Sequence, residues 1–453
     1  MNNKLKRFKK NILGKRVILL GVGVSNKPLI KQLISYGAEV ICCDKNAALE
    51  SEFFDEMKLG AKFRLGDNYL DDLDADIIFK TPGIRGDIPE LVAAEERGVT
   101  ITSEMEMFFK LCPCKIIGVT GSDGKTTTTT LIYNILTENE KVCHLGGNIG
   151  KPLLPEIENI EEGEVAIVEL SSFQLMSMNC SPDVAVITNI SPNHLDVHKS
   201  MEEYVNAKKN IFLHQNKSGV LVLNAKNEIT ASFADEAKGE VVFFNGDENG
   251  VYLKDDNIYF DGKSIITKDD IALPGEHNVE NYMAAIAAVG KKTSSEAIKR
   301  VANNFTGVEH RIEFVREIDG VRFYNDSIAS SPTRAKAGLY AFDKKVILIA
   351  GGYDKKIPFD DFGVDIKNRV KRLYLFGATA PKIKEAVLNA YGEGRRTLPI
   401  ITQYTTLETI VKEAYMAAEA GDIVLLSPAC ASFDMFKNFE ERGKKFKECV
   451  RRL

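Results

Sequence analysis

Cysteine is scarce. The eight cysteines among 453 residues stand at 42, 43, 112, 114, 143, 180, 430 and 449 without a C-x-x-C pair, which excludes a disulfide framework and a structural zinc site and makes a reducing cytoplasm the expected compartment. A basic excess is also missing: the net charge is −5, so nucleic acid is not expected as a partner. No run approaches the roughly 18 apolar residues of a membrane span, so no membrane partner is expected either. The opening MNNKLKRFKKNILGKRVILLGVGV imitates a signal peptide, yet Gly14, Lys15 and Arg16 interrupt it, and Val17 to Val24 is only one strand long with no small-residue cleavage site. Fixed short repeats and low-complexity tracts are absent, which excludes a solenoid.

What is present is an ordinary globular composition, 44% hydrophobic and 27% charged, long enough for about three domains. Strand-length apolar runs alternate with helical stretches, the pattern of parallel sheets covered by helices on both faces. A first block places strands at Arg16–Gly21, Glu39–Asp44, Asp76–Lys80 and Val99–Ser103, with a helix at Lys27–Tyr36, and ends at LCPCK. A second has strands at Lys115–Val119, Glu164–Glu169, Asp183–Asn189 and Gly219–Leu223, a hairpin-like stretch around Val251–Ile266, and helices at Glu202–Leu213, Asn278–Val289 and Ser294–Phe305. A third has strands at Lys345–Ala350, Arg372–Phe376 and Asp422–Ser427. The expected α/β architecture comprises domains 1–110, 111–306 and 307–453.

The sharpest motif is Gly118-Val-Thr-Gly121-Ser122-Asp123-Gly124-Lys125-Thr126-Thr127, which follows the strand KIIGV and opens a helix. Glycines let backbone N–H groups approach an anion, the helix N-terminus and Lys125 add positive charge, and Thr126 offers a hydroxyl to Mg²⁺; ATP is the expected ligand. The strict G-x-x-x-x-G-K-[ST] pattern is missed by one position, because Val119 stands at its first glycine. Gly21-Val-Gly23-Val24-Ser25-Asn26 is a weaker signal of the dinucleotide type, with Asn26 in place of the third glycine. A nucleotide fits there, with Ser25 and Asn26 near a diphosphate and Asp44 near a ribose or base. Glu169 closes the apolar run VAIVEL beside the phosphate loop, where a carboxylate can hold a hard cation. His194 and His198 stand four apart, but Leu195 occupies the position where zinc proteases carry glutamate, no third ligand is evident, and histidine is not a preferred magnesium ligand. Lys208 and Lys209 read as a basic turn of an amphipathic helix. In the third block, loops at strand ends carry Asp326, Lys355, Lys356 and Ser432, where open α/β sheets bind ligands.

GVTGSDGKTT, GGNIG at Gly146–Gly150, ELSSFQL at Glu169–Leu175, NISPNHLDVH, AKKNIF, GEHNVEN at Gly275–Asn281, EHR at Glu309–Arg311, YNDS, and LLSPACASFDMFKNFEERG at Leu425–Gly443 form an ordered series across nearly the whole chain. This series resembles the Mur ligase family, and ELSSFQL and SPACASFDMFKNF resemble its D-glutamate-adding branch. The resemblance implies a Rossmann-like first domain for the UDP substrate, a central P-loop-type ATPase domain with a mainly parallel sheet, and a Rossmann-like third domain for the amino acid. It implies that ATP activates the carboxylate of UDP-N-acetylmuramoyl-L-alanine as an acyl phosphate, which the amine of D-glutamate attacks. By the same resemblance Gly121, Ser122, Asp123, Gly124, Lys125, Thr126, Thr127, Asn278, Asn281, Arg311 and Asp326 bind ATP. Thr126, Glu169, His194 and Lys208 hold two Mg²⁺, Lys208 after carbamylation by CO₂; Lys125, His194 and Lys208 are the catalytic set. Ala207 immediately before it favours Lys208 over Lys209. Val24, Ser25, Asn26, Asp44, Gly83 and Asn148 are placed at the UDP substrate, and Ser330, Lys355, Ser432, Phe433 and Phe439 at the amino acid. Ile328 stands where some members have lysine, and Lys355 competes with Lys356, so the cation for the D-glutamate side chain is left open. A monomer is the expected state. Rival readings are another Mur-type or folylpolyglutamate synthetase-like ligase and a catalytically silent nucleotide-binding relative. The nucleotide-type first block favours a UDP-sugar over folate, and Lys125, Thr126, Glu169, His194 and Lys208 argue against silence.

Overall fold

The computed structural model describes residues 2–47, 49, 53–192, 198–273, 275–291, 293–354, 357–392, 398–402 and 406–453. They form two compact units, residues 1–305 and 306–453. The first unit holds two sheets. The N-terminal one is wholly parallel, in the order Lys62–Leu65, Glu39–Asp44, Arg16–Leu20, Ile77–Lys80, Thr100–Thr102. The larger sheet has nine strands, in the order Lys263–Thr267, Asn257–Phe260, Val251–Lys254, Glu240–Phe244, Val220–Asn224, Val184–Ile187, Lys115–Thr120, Val165–Glu169, Cys143–Gly147. Its pairs are parallel except among the first three strands, a meander where the sequence suggested a hairpin.

Every residue of Val165–Glu169 and Val184–Ile187 is buried, as expected of central parallel strands roofed on both faces. The basic opening of the chain forms a helix, Asn3–Ile12, capped by Asn2, whose Leu5 and Ile12 are buried. Those two residues join one continuous apolar core with Met105, Phe108, Leu154 and Ala166, so the two sheets of this unit share an interior.

The second unit has one sheet in the order Glu313–Ile318, Val321–Asn325, Ile423–Leu426, Val346–Gly351, Val370–Phe376, Ile400–Ile401, parallel except for the first pair. Among the described residues, no helix is long and apolar enough to cross a membrane.

Candidate active site at the phosphate loop

Strand register builds the site. Val119 pairs with Glu169, Thr120 with Ile187, and Gly147 with Glu169, so three strand ends deliver the phosphate loop, Glu169 and Asn148 to one edge. The helix that follows the loop, Lys125–Glu138, starts at Gly124 with φ +76° and no side-chain cap, and a helix N-terminus directs its N–H groups and dipole toward an anion. A Cβ at Gly124 would overlap Asn281 Oδ1, and one at Gly121, where φ is +150°, would overlap Thr188 Oγ1. Glycine is required at both positions by conformation and by space.

The loop is held from behind. Ser122 N donates to Asn189 O and Asp123 N to Asn189 Oδ1, each at 2.9 Å. Ser122 Oγ meets Tyr204 Oη at 2.9 Å and donates to Ser191 O at 2.9 Å. Lys125 Nζ lies across the loop mouth, donating to Gly121 O at 2.9 Å and Ser122 O at 2.8 Å. Thr127 is half-buried in the first turn of the helix. The buried pair Asn278 and Asn281 comes from the helix Glu276–Val289; Asn281 Nδ2 donates to Asn278 Oδ1 at 3.1 Å, and Thr128 Oγ1 donates to Asn281 Oδ1 at 3.3 Å.

Thr126 Oγ1 donates to Glu169 Oε2 at 2.7 Å, and Asn148 Nδ2 donates to Glu169 Oε1 at 2.8 Å. Asn148, expected at the UDP substrate, is exposed, and its amide reaches the carboxylate because Gly147 lies beside Glu169 in the sheet. Lys208 is 2% exposed and donates to Gly121 O at 2.7 Å and Thr120 Oγ1 at 3.3 Å. Burial, with the Lys125 ammonium next in weight, lowers its pKa well below the usual lysine value. Lys209 points elsewhere, pairing with Glu236 at 2.5 Å. The helix carrying both, Met201–Leu213, is capped by Ser200, whose hydroxyl accepts from Glu203 N. His194 lies outside the described residues. His198, a residue sequence reasoning gave no role, is buried with Nε2 at 2.9 Å from Ser172 Oγ and stacks on Phe173. Only its spacing from His194 marked it.

At the N-terminal sheet, Val24 is exposed, Ser25 half-buried and Gly83 exposed. Asn26 is fully buried, and its amide donates to Gly21 O at 2.9 Å and Phe79 O at 3.0 Å. Its side chain thus ties two strand ends together beneath the turn. Asp44 accepts from Val22 N at 2.7 Å and from Asn46 N at 2.8 Å.

In the second unit Asp326 is buried and accepts from Ser427 Oγ at 2.7 Å; burial raises its pKa to about 7 against the opposing pull of that hydrogen bond. Arg311 is exposed. Ser432 is buried, Ser330 half-buried, and Phe433 exposed beside Tyr353 with ring centroids 6.0 Å apart. Phe439 sits edge-on to His310 at 6.0 Å. Lys355, like Lys356, lies outside the described residues. Arg442, which the sequence reading did not single out, is fully buried and donates to Ser327 O at 2.8 Å and Cys430 O at 3.0 Å, joining the loops that carry Ser330 and Ser432.

Comparison with known proteins identifies the family. The Mur ligase middle domain matches residues 119–289, and the Mur ligase glutamate ligase domain matches residues 310–430. A protein of Acetivibrio thermocellus named UDP-N-acetylmuramoylalanine--D-glutamate ligase is 56% identical over 99% of each chain. Proteins of the same name from Ruminiclostridium cellulolyticum and Clostridium acetobutylicum are 53% and 52% identical over the whole of both chains. Among solved structures, UDP-N-acetylmuramate-alanine ligase MurC of Thermotoga maritima has a TM-score of 0.54 at 19% identity, covering 97% of this chain and 99% of its own. MurF of Acinetobacter baumannii has a TM-score of 0.55 at 17% identity, covering 97% and 92%; these two likenesses concern the fold. With full-length relatives above half identity and both catalytic-domain models matched, the chain belongs to the Mur ligase family.

Proposed function

We propose that this protein is an ATP-dependent ligase that joins D-glutamate to UDP-N-acetylmuramoyl-L-alanine in peptidoglycan precursor synthesis. The observation that carries the reading is the convergence of Lys125, Thr126, Glu169 and Lys208 on one glycine loop at the end of parallel strands. The name borne by the full-length relatives supports the choice of acceptor and amino acid.

The chemistry requires no protein nucleophile. The acceptor carboxylate attacks the γ-phosphorus of ATP, the bond to ADP breaks, and an acyl phosphate forms; the amine of D-glutamate then displaces phosphate, leaving an amide and a proton. Lys125 and the N-terminus of its helix bind the γ-phosphoryl and hold it in line, which is a positioning and electrostatic task. The donors Thr126 Oγ1 and Glu169 are hard oxygens and fit Mg²⁺. Magnesium bound there supplies neutralisation of phosphate charge.

Lys208 fits a carbamate. Burial favours its neutral amine, the form that adds to CO₂ and releases a proton, and the resulting oxygens are ligands an ammonium lacks. Two magnesium sites, with His194 at the second, complete the metal proposal. Asn278, Asn281, Arg311 and Asp326 are proposed for the adenine nucleotide, the turn at 21–26 with Asp44 and Gly83 for the UDP group, and Ser330, Lys355, Ser432, Phe433 and Phe439 for D-glutamate. The proposed enzyme is a cytoplasmic monomer.

The test offers purified protein ATP, Mg²⁺ and UDP-N-acetylmuramoyl-L-alanine with D-glutamate, L-glutamate, L-lysine or diaminopimelate, one at a time. Phosphate release with D-glutamate alone is expected; preference for another amino acid, or no turnover with any, refutes the assignment.

A further inference from the structure

The segment 81–87 leaves the strand Ile77–Lys80 at the same edge as the glycine turn: Thr81 N donates to Leu20 O at 2.9 Å, and a Cβ on Gly21 would overlap Thr81. Gly83, proposed for the UDP substrate, belongs to this segment. From beneath, the buried Lys80 Nζ donates to Ile84 O at 3.2 Å. Its outer side is gripped by charge. Arg85 places Nη2 at 2.6 Å and Nη1 at 3.3 Å from the two oxygens of Glu203, and its Nε and Nη2 also meet Asp87 at 2.8 and 2.9 Å. Lys199 Nζ reaches Asp87 at 2.7 Å, so two cations and two carboxylates alternate with no net charge.

Glu203 is not an ordinary surface acid. It is the third residue of the helix Met201–Leu213; its N–H donates to the cap Ser200 Oγ at 3.1 Å and its carboxylate accepts from Lys199 N at 2.7 Å. The next residue, Tyr204, touches Ser122 in the phosphate loop, and Lys208 one turn later donates to Gly121 O. One helix is therefore held at its start by the substrate segment of the first sheet and along its length by the phosphate loop of the second. A partly exposed ion pair adds little to stability, so a role in orientation explains this fork better than a role in folding.

We propose that Arg85 and Glu203 are positioning residues that couple occupancy of the UDP-substrate segment to the phosphate loop through this helix. The coupling rests on the function proposed above. A ligand that orders either loop orders the shared helix and favours the other ligand, and linkage makes the effect reciprocal.

Calorimetry with the full-length protein tests it, using a non-hydrolysable ATP analogue with Mg²⁺, alone and with saturating UDP-N-acetylmuramoyl-L-alanine. In the wild type the UDP compound is expected to tighten analogue binding at least about fivefold. In Arg85→Gln and in Glu203→Gln that ratio is expected to fall to within about twofold of unity, with affinity for the analogue alone nearly unchanged. The double variant Arg85→Gln/Glu203→Gln is expected to lose no more of the ratio than either single variant, as two residues of one link should; a merely structural role would instead weaken binding of the analogue alone. A wild-type ratio of one, a wild-type ratio retained in either single variant, or losses that add in the double variant overturns the proposal. Failure of the wild type to bind the UDP compound at all overturns the functional reading, and the coupling with it.

Discussion

The first unit contains two strand–glycine–helix turns of the same topology, and they are furnished differently. At residues 21–26 the Asn26 amide holds two carbonyls, and the Asp44 carboxylate, from the neighbouring strand, holds two backbone N–H groups. At residues 118–127 an uncapped helix start, a lysine ammonium, a threonine–glutamate pair and a second, buried lysine converge on one loop. A glycine turn alone marks a place where a ligand can approach the backbone. Chemistry comes from what the neighbouring strands and helices bring to it.

The largest expected contrast is between two adjacent lysines. Lys208→Ala or Glu169→Ala should reduce turnover on the order of 10² to 10³-fold or more, whereas Lys209→Ala should keep most of it, since its partner Glu236 lies away from the loop; steady-state phosphate release reads both. Next come the glycines. Gly124→Ala sets a Cβ against Asn281 at φ +76° and should weaken ATP-analogue binding at least about tenfold, by roughly 1–2 kcal/mol of backbone strain plus the clash. Gly23→Ala, with nothing within 4 Å of the added carbon, should be neutral or stabilise by about 0.4–1 kcal/mol in denaturant titration. Asn26→Ala should cost about 1–3 kcal/mol, since buried carbonyls lose their donor, and weaken binding of the UDP compound while leaving the ATP analogue unaffected. Smallest is Asp44→Asn: about 0.5–1.5 kcal/mol of turn stability should be lost, seen as a lower midpoint with unchanged slope.

Local pattern made much of this legible. The strand Glu39–Asp44 has the ends its apolar run predicts, and the helices Lys27–Ser35 and Met201–Leu213 differ from expectation by one residue at one end. The phosphate loop could be read because glycines, lysine and threonine are contiguous between a strand and a helix. The remainder depends on contacts between residues far apart in sequence. Asn148 meets Glu169 because two strands are paired, Arg85 meets Glu203 across 118 residues, and Arg442 meets Ser327 across 115. Nothing within a short window encodes those meetings. The N-terminal helix was hidden for another reason: five lysines and arginines obscure the two side chains, Leu5 and Ile12, that bury it. Lys208 and Lys209 are equivalent as sequence chemistry; the resemblance, through Ala207, favours Lys208, and the helix's rotation against the loop supplies the physical difference.

In the proposed reaction the loop directs the γ-phosphoryl of ATP onto the acceptor carboxylate. Labelling both carboxylate oxygens of UDP-N-acetylmuramoyl-L-alanine with ¹⁸O and analysing the released phosphate by mass spectrometry tests it directly. An acyl phosphate requires one labelled oxygen to pass into each phosphate as the amide forms; unlabelled phosphate released together with amide would contradict the mechanism.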